Sequence, residues 1–310
     1  MFLTKIKSRK SGIILYGITP PKSQTEPDKV QEIAKRTLSR LIGLDIDALI
    51  VYDVQDESAR TSDERPFPFI RALDPLEYTI AHLHELNKPK IIYRPAGKYT
   101  SQELSTWLNT LHINGLYPVF VGVPIPGFQV KTSLQEAYAI WSKNADTSVI
   151  GAITIPERHA TLHDEPERMM DKMKSGVSFF VSQCVFNIEY AKNMLTDLAT
   201  YCKNNNASMP TVIFTLTACG STKTLQFMEW LGIHIPDTIK NELINGENIL
   251  STSIEICKQV ATTLTEHCLL HNIPFGFNIE SVAIRKEEIE ASIELVNWTI
   301  QLFKKNGIRQ

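Results

Sequence analysis

A handful of side chains in this sequence have the type and spacing to do chemistry. Gln183 closes a short apolar run, Val177 to Ser182, that a glycine opens at position 176. Such a run reads as a strand buried on both faces, with an amide at its carboxyl end. An amide there can both donate and accept hydrogen bonds to a ligand. Acids recur at the ends of other apolar runs: Asp53, Asp56, Glu57, Glu157 and Glu280. A carboxyl group in that position can hold or move a proton. His159 and Lys172 are compatible with an anionic partner such as a dinucleotide phosphate. Each residue also has a plainer reading. The amide can cap a strand end, the acids can be solvated or paired with Arg60 or Arg94, and the lysine can lie along a helix with its charge in water.

The elements that must position these groups alternate along the chain. Strands are expected at Ser11–Tyr16, Ala48–Tyr52, Lys90–Tyr93, Tyr117–Val123, Val149–Ile155, Val177–Ser182, Thr211–Thr217 and Pro274–Ile279. Helical periodicity fills the intervals: 26–43, 74–87, 100–114, 132–144, 165–175, 188–204, 222–231, 249–271 and 285–305. An additional helix running to Ile244 follows the seventh strand. Eight strands alternating with helices over 310 residues is the pattern of a single (β/α)8 TIM barrel, an α/β fold, with an extra helix after strand seven. A doubly wound open sheet is the competing arrangement, because counting strands does not prove closure. No Gly/Ser/Pro-rich linker divides the chain, so one domain over residues 1–310 is expected. The basic opening, residues 1–10, reads as a surface lead-in.

Composition excludes several classes. Hydrophobic residues at 43%, charged residues at 21% and a net charge of −2 give no electrostatic footprint for nucleic acid or an anionic membrane. No apolar run reaches the ~20 residues of a membrane span. Five cysteines without Cys-x-x-Cys spacing argue against a disulfide framework and a structural zinc, and fit a reducing cytoplasm. His82 and His84 lie two apart on an expected helix, so they point in different directions and no metal is expected. Neither Gly-x-Gly-x-x-Gly nor a phosphate-loop motif occurs.

Four segments resemble the methylenetetrahydrofolate reductases, flavin-linked barrels that reduce methylenetetrahydrofolate to methyltetrahydrofolate. Tyr16-Gly-Ile-Thr-Pro-Pro21 is similar to that family's Phe-Glu-Phe-Phe-Pro-Pro. Ile155-Pro-Glu-Arg-His159 resembles Tyr-Pro-Glu-x-His. Lys172-Met-Lys-Ser-Gly176 through Ser182-Gln-Cys-Val-Phe-Asn187 is similar to Lys-x-x-Ala-Gly followed by Thr-Gln-x-x-Phe-Asp. Phe227 and Gly232-Ile-His-Ile-Pro236 resemble a Phe followed by Ile-Pro at the same spacing. The resemblance implies that Gln183 hydrogen-bonds the pterin of a reduced folate and that Phe227 stacks on it. It implies that His159 and Lys172 contact FAD, with NAD(P)H as the source of hydride.

The departures fall mainly on the flavin side. Gly17 stands where the family has its general acid, Ile92 where it has a strand-three histidine, Ile155 where it has tyrosine, and Val121-Gly-Val-Pro124 where it has Arg-Gly-Asp. Glycine cannot move a proton, so Glu57 or Glu280 is expected to take that part, and FAD is left open. The expected function is NAD(P)H-linked reduction of methylenetetrahydrofolate, with tight flavin binding not required. The alternative is a reduced-folate-binding relative that has lost the reductase step. A barrel lyase or aldolase is disfavoured because no lysine stands at a strand end. A homo-oligomer is left open.

Overall fold

The computed structural model describes residues 2–56, 61–122, 127–144, 149–282 and 285–310. Eight parallel strands close into a barrel in sequence order. They are β1 (Ile13–Ile18), β2 (Ala48–Val51), β3 (Lys90–Pro95), β4 (Tyr117–Val121), β5 (Ile150–Thr154), β6 (Val177–Cys184), β7 (Thr211–Ala218) and β8 (Phe275–Ser281). The ring is sealed where β1 pairs with β8, in a register that sets Gly17 opposite Glu280. Closure leaves no unpaired sheet edge and settles the choice against an open sheet.

Twelve α-helices occur among the described residues. They are α1 (Phe2–Lys7), α2 (Pro27–Leu41), α3 (Pro75–His82), α4 (Ser101–Ile113), α5 (Leu134–Asn144), α6 (Pro156–Leu162), α7 (Glu165–Lys174), α8 (Ile188–Asn204), α9 (Thr222–Trp230), α10 (Asp237–Asn245), α11 (Ile249–Leu270) and α12 (Lys286–Lys305). Local chemistry marks several boundaries. Thr100 and Glu103 form a reciprocal capping box at the start of α4, and Asp74, Asn187, Ser221 and Asn248 cap α3, α8, α9 and α11. The extra helix expected after strand seven is α10.

Alternation along each strand splits the apolar residues into two cores. Ile13, Leu15, Ile50, Ile91, Val119, Phe179, Val181 and Ile213 fill the barrel interior, while Ile14, Leu49, Ile92, Phe180, Phe214 and Phe277 face the helices. The N-terminal segment departs from the surface lead-in that its basic residues suggested. Phe2 and Ile6, one helical turn apart, are buried in the interior core, and the Phe2 ring meets Tyr117 and Phe179 edge-on at 5.9 and 5.5 Å. Burying a phenylalanine contributes about 1.5–3 kcal/mol, which outweighs the pull of the lysines toward water. The lysines Lys5 and Lys7 remain at the end of the helix. Helix α1 therefore forms the floor of the barrel.

A polar network holds that same end. Asp47 accepts hydrogen bonds from Arg309 Nη1 (2.6 Å), Ile14 N (2.9 Å) and Lys5 Nζ (3.0 Å). The opposite, carboxyl end of the strands carries Gln183 and Glu280, as barrels of this kind dispose their sites.

Candidate functional site

The carboxyl rim is shaped by an irregularity in β6. Val181 pairs with Ile213, but the next paired residues are Cys184 and Thr215, so β6 spends one residue more than β7. Ser182 repairs the ladder, since its Oγ accepts from Thr215 N at 3.0 Å while Thr215 Oγ1 donates to the Ser182 carbonyl at 2.7 Å. Such a bulge re-aims the side chains beyond it. The strand expected to end at Ser182 accordingly runs on through Gln183 to Cys184.

Gln183 is half-buried, and its Nε2 donates to the Leu231 carbonyl at 3.1 Å. Leu231 caps α9, and its own N–H donates to Phe227 O at 2.9 Å. The two residues expected to hold a folate are thus linked through one residue. The amide in part fulfils its plainer reading by satisfying a backbone carbonyl. Phe227 is also half-buried, edge-on to Phe67 at 5.4 Å and roughly parallel to Trp230 at 6.0 Å. The Arg65 guanidinium lies 4.8 Å from its ring centre and 5.2 Å from that of Trp230. A flat ligand stacking on Phe227 must displace that guanidinium or take the other face.

These contacts join the segment after β2 to α9, and Trp230 Nε1 adds a hydrogen bond to the Asp63 carbonyl at 3.1 Å. In the ring, β8 and β1 lie between β7 and β2, so the arch spans the side of the mouth above Gly17 and Glu280.

Beneath it, a β-carbon at Gly17 would lie 2.7 Å from Tyr52 Cε2, 3.0 Å from its hydroxyl and 3.1 Å from Glu280 Oε2. Glycine at this position leaves the room that these two side chains occupy. The Glu280 carboxyl is hydrogen-bonded by the Tyr52 hydroxyl, by Cys184 Sγ at 3.5 Å and by Asn278 Nδ2 at 3.4 Å. Asn278, fully buried, also donates to Tyr52 Oη at 2.8 Å and Thr215 Oγ1 at 3.2 Å. Glu280 retains some exposed surface, but its carboxyl group is crowded by protein. Burial pushes its pKa above the ordinary value, against the three hydrogen bonds that favour ionisation. Burial and the Glu280 charge together hold the Tyr52 and Tyr93 hydroxyls and the Cys184 thiol well up. Two polar atoms here, Tyr93 Oη and Asn278 Oδ1, have no hydrogen-bond partner among the described residues. The arrangement can retain a proton at Glu280 and release it upward.

Of the other acids, Glu57 lies outside the described residues. Asp53 is pushed up to about 6 by burial, with Arg94 opposing and Asp74 reinforcing the shift. Arg94 is 4% exposed and binds Asp74 at 2.9 Å, Asp53 at 3.4 Å and Tyr99 Oη at 2.8 Å. Asp53 is therefore an ion-pair partner of Arg94. Asp56 is exposed.

Glu157 sits just beyond β5 on α6, and burial pushes it up to about 7. His159, on the same short helix, is buried with Nε2 3.0 Å from Asp197 Oδ2 of α8. Lys172 of α7 donates to the Ile153 carbonyl at 2.7 Å and lies 5.9 Å from the Phe180 ring, and burial lowers it to about 8. The polar groups of both are directed into the layer between helices and barrel wall. Gln183 and Phe227 instead meet at the rim. The position of His159 and Lys172 does not fit a flavin held at the mouth. Among the described residues, no group of three or more His, Cys, Asp or Glu side chains is placed to hold a metal ion. No described helix is long and apolar enough to cross a membrane.

Sequence reasoning missed Tyr52, Tyr93, Asn278 and Cys184. The signal was present in β8, where Asn278 and Glu280 are polar at a spacing of two in an otherwise apolar strand. At that spacing both must face the interior.

The fold and the rim define a closed (β/α)8 barrel with a polar, arch-covered mouth. No protein-family model matches the sequence, and no curated protein does. Among solved structures, the chain is similar to an uncharacterized protein from Clostridium thermocellum that binds two copies of 5-methyl-5,6,7,8-tetrahydrofolic acid. The two share 43% identity over 96% of this chain and 99% of that one, with a TM-score of 0.85. The chain belongs to the family of that protein. Far weaker likenesses, to a 2,3-dimethylmalate lyase (11% identity, 98% and 97% of the two chains, TM-score 0.44) and to the dihydropteroate synthase of Xanthomonas albilineans (9%, 94% and 92%, 0.44), have no bearing on function.

Proposed function

We propose that this protein binds a reduced folate at the carboxyl mouth of its barrel and reduces 5,10-methylenetetrahydrofolate to 5-methyltetrahydrofolate. The observation that carries folate binding is the 43% identity to a protein that binds 5-methyltetrahydrofolic acid. The reductase step is supported by the resemblance to methylenetetrahydrofolate reductases and by the Glu280 carboxyl at the vacated acid position.

Opening the five-membered ring of the substrate needs a proton at N10 as the N10–methylene bond breaks, leaving an iminium at N5. NAD(P)H supplies the hydride that converts this iminium to methyl. Glu280 holds the proton, kept there by burial, and gives it up to N10. Tyr52, Asn278 and Cys184 then receive the carboxylate that forms, through the three hydrogen bonds already aimed at it. The arch of Arg65, Phe67 and Phe227 excludes water from that side of the mouth.

A binding-only role is the second reading, favoured by the glycine at the general-acid position. One experiment separates the two. Purified protein is given NADH or NADPH with and without methylenetetrahydrofolate, and cofactor oxidation is followed beside calorimetric titration with 5-methyltetrahydrofolate. Folate-dependent oxidation supports the reductase, and binding without turnover supports the second reading. Absence of binding overturns both.

A further inference from the structure

Glu157 lies on the carboxyl rim between β5 and β6, and no other described residue hydrogen-bonds either of its carboxyl oxygens, although both are shut off from solvent. A buried carboxyl group without a partner is costly and rare in a folded chain. The backbone that carries it is held firmly. Glu165, itself fully buried, accepts from Ile155 N at 3.1 Å and from Arg158 Nε at 2.6 Å, gripping the chain on both sides of Pro156 and Glu157. Glu157 is also close enough to the Cys184 thiol for the two to interact electrostatically, and Cys184 hydrogen-bonds Glu280. The β5–β6 register, with Thr154 opposite Ser182, brings Glu157, three residues further on, to the end of β6 where the bulge carries Gln183. Asp53, Asp74 and Glu280, by contrast, are each engaged by other protein groups.

We propose that Glu157 recognises the pyrimidine edge of the folate, its two oxygens accepting the paired N–H bonds of N3 and the 2-amino group. The proposal rests on the folate reading above and deepens it. A reduced pterin presents two adjacent donors along that edge, and a carboxylate is the side chain with two parallel acceptors to match them. The ligand then supplies both of the partners that the folded chain lacks. Glu157 is a binding residue in this assignment, and proton delivery stays with Glu280.

The test is calorimetric titration of the wild type and Glu157→Gln with 5-methyltetrahydrofolate and with its analogue in which a methyl group replaces the 2-amino group. The wild type is expected to bind the analogue about tenfold more weakly or worse, the size of effect set by one unsatisfied buried hydrogen-bonding group. Glu157→Gln is expected to bind methyltetrahydrofolate more weakly by a similar factor and to discriminate little between the two ligands. A wild type that binds both ligands equally overturns the assignment, as does a folded Glu157→Gln with undiminished affinity and discrimination. The wild-type comparison decides the matter even if the variant does not fold. A wild type that binds neither ligand overturns the folate reading itself, a result distinct from binding without discrimination.

Discussion

The Tyr52 hydroxyl and the Glu280 carboxyl share the space beside Gly17, each within about 3.1 Å of where a β-carbon at that position would stand. Strand pairing explains the meeting, because Gly17 is directly opposite Glu280 in the β1–β8 register. An acid delivered from β8 thereby reaches the place that an acid on β1 would otherwise fill.

Replacing Glu280 by Gln is expected to lower turnover of methylenetetrahydrofolate by about 10²–10⁴-fold, the usual worth of a positioned general acid. Binding of methyltetrahydrofolate should stay nearly unchanged, because Gln preserves size and polarity. Steady-state kinetics with parallel calorimetry checks both. Equal turnover in the variant would remove Glu280 from the mechanism.

Gly17→Ala puts a methyl group 2.7 Å from the Tyr52 ring. Overpacking of this kind costs about 1–3 kcal/mol. A lower urea midpoint is therefore expected, together with a change in turnover as Tyr52 and Glu280 are pushed apart. An unshifted midpoint would mean that the two side chains move aside freely.

Gln183→Ala removes the donor to the Leu231 carbonyl and with it the tie between β6 and the end of α9. Loss of the hydrogen bond proposed from Gln183 to the pterin should weaken folate binding by roughly tenfold, in the range of one lost buried partner. Amide exchange at the end of α9 should quicken as well. A variant with weaker folate binding but unaltered exchange would separate the ligand contact from the structural one.

Stability should fall as pH rises from about 4.5 to 7. Glu157 is pushed to about 7 in the folded chain from an ordinary 4.5. Below 4.5 both states are protonated and the contribution is fully present. Between the two values the unfolded chain ionises first, and above 7 the loss levels off at up to about 3 kcal/mol. Asp53, raised by burial to about 6, acts in the same direction. Thermal melts across this range should show a shallower decline in Glu157→Gln than in the wild type.

At the other end of the barrel, Asp47→Asn weakens the contacts to Arg309 and Lys5 at a site that is 8% exposed. Breaking one side of a buried ion-pair network costs on the order of 3 kcal/mol. A large drop in urea midpoint with unaltered folate affinity is expected. A fall in affinity would show that the two ends of the barrel are coupled.

The architecture was largely legible because buried parallel strands leave compact apolar runs and helices leave a 3.6-residue period. Position 2 was misleading, since a single Phe among lysines carries no periodic signal and its burial is decided by the ring above it. Short α6 escaped notice for a related reason, as seven residues are too few to show a period. At the site, Gln183 and Glu280 were readable as polar residues closing apolar strands. Their partners were not. Tyr52 and Asn278 lie more than 200 residues apart in sequence, and the Glu157 carboxyl is notable only for partners on other residues that it lacks in three dimensions.

The floor made by Phe2 and Ile6 turns the barrel into a cul-de-sac. On the proposed reductase reading, a proton spent by Glu280 is replaced from above, through the opening that the ligand would occupy. Reloading must then wait for departure of whatever sits there, so vacating the mouth and recharging the acid follow one another in a fixed sequence.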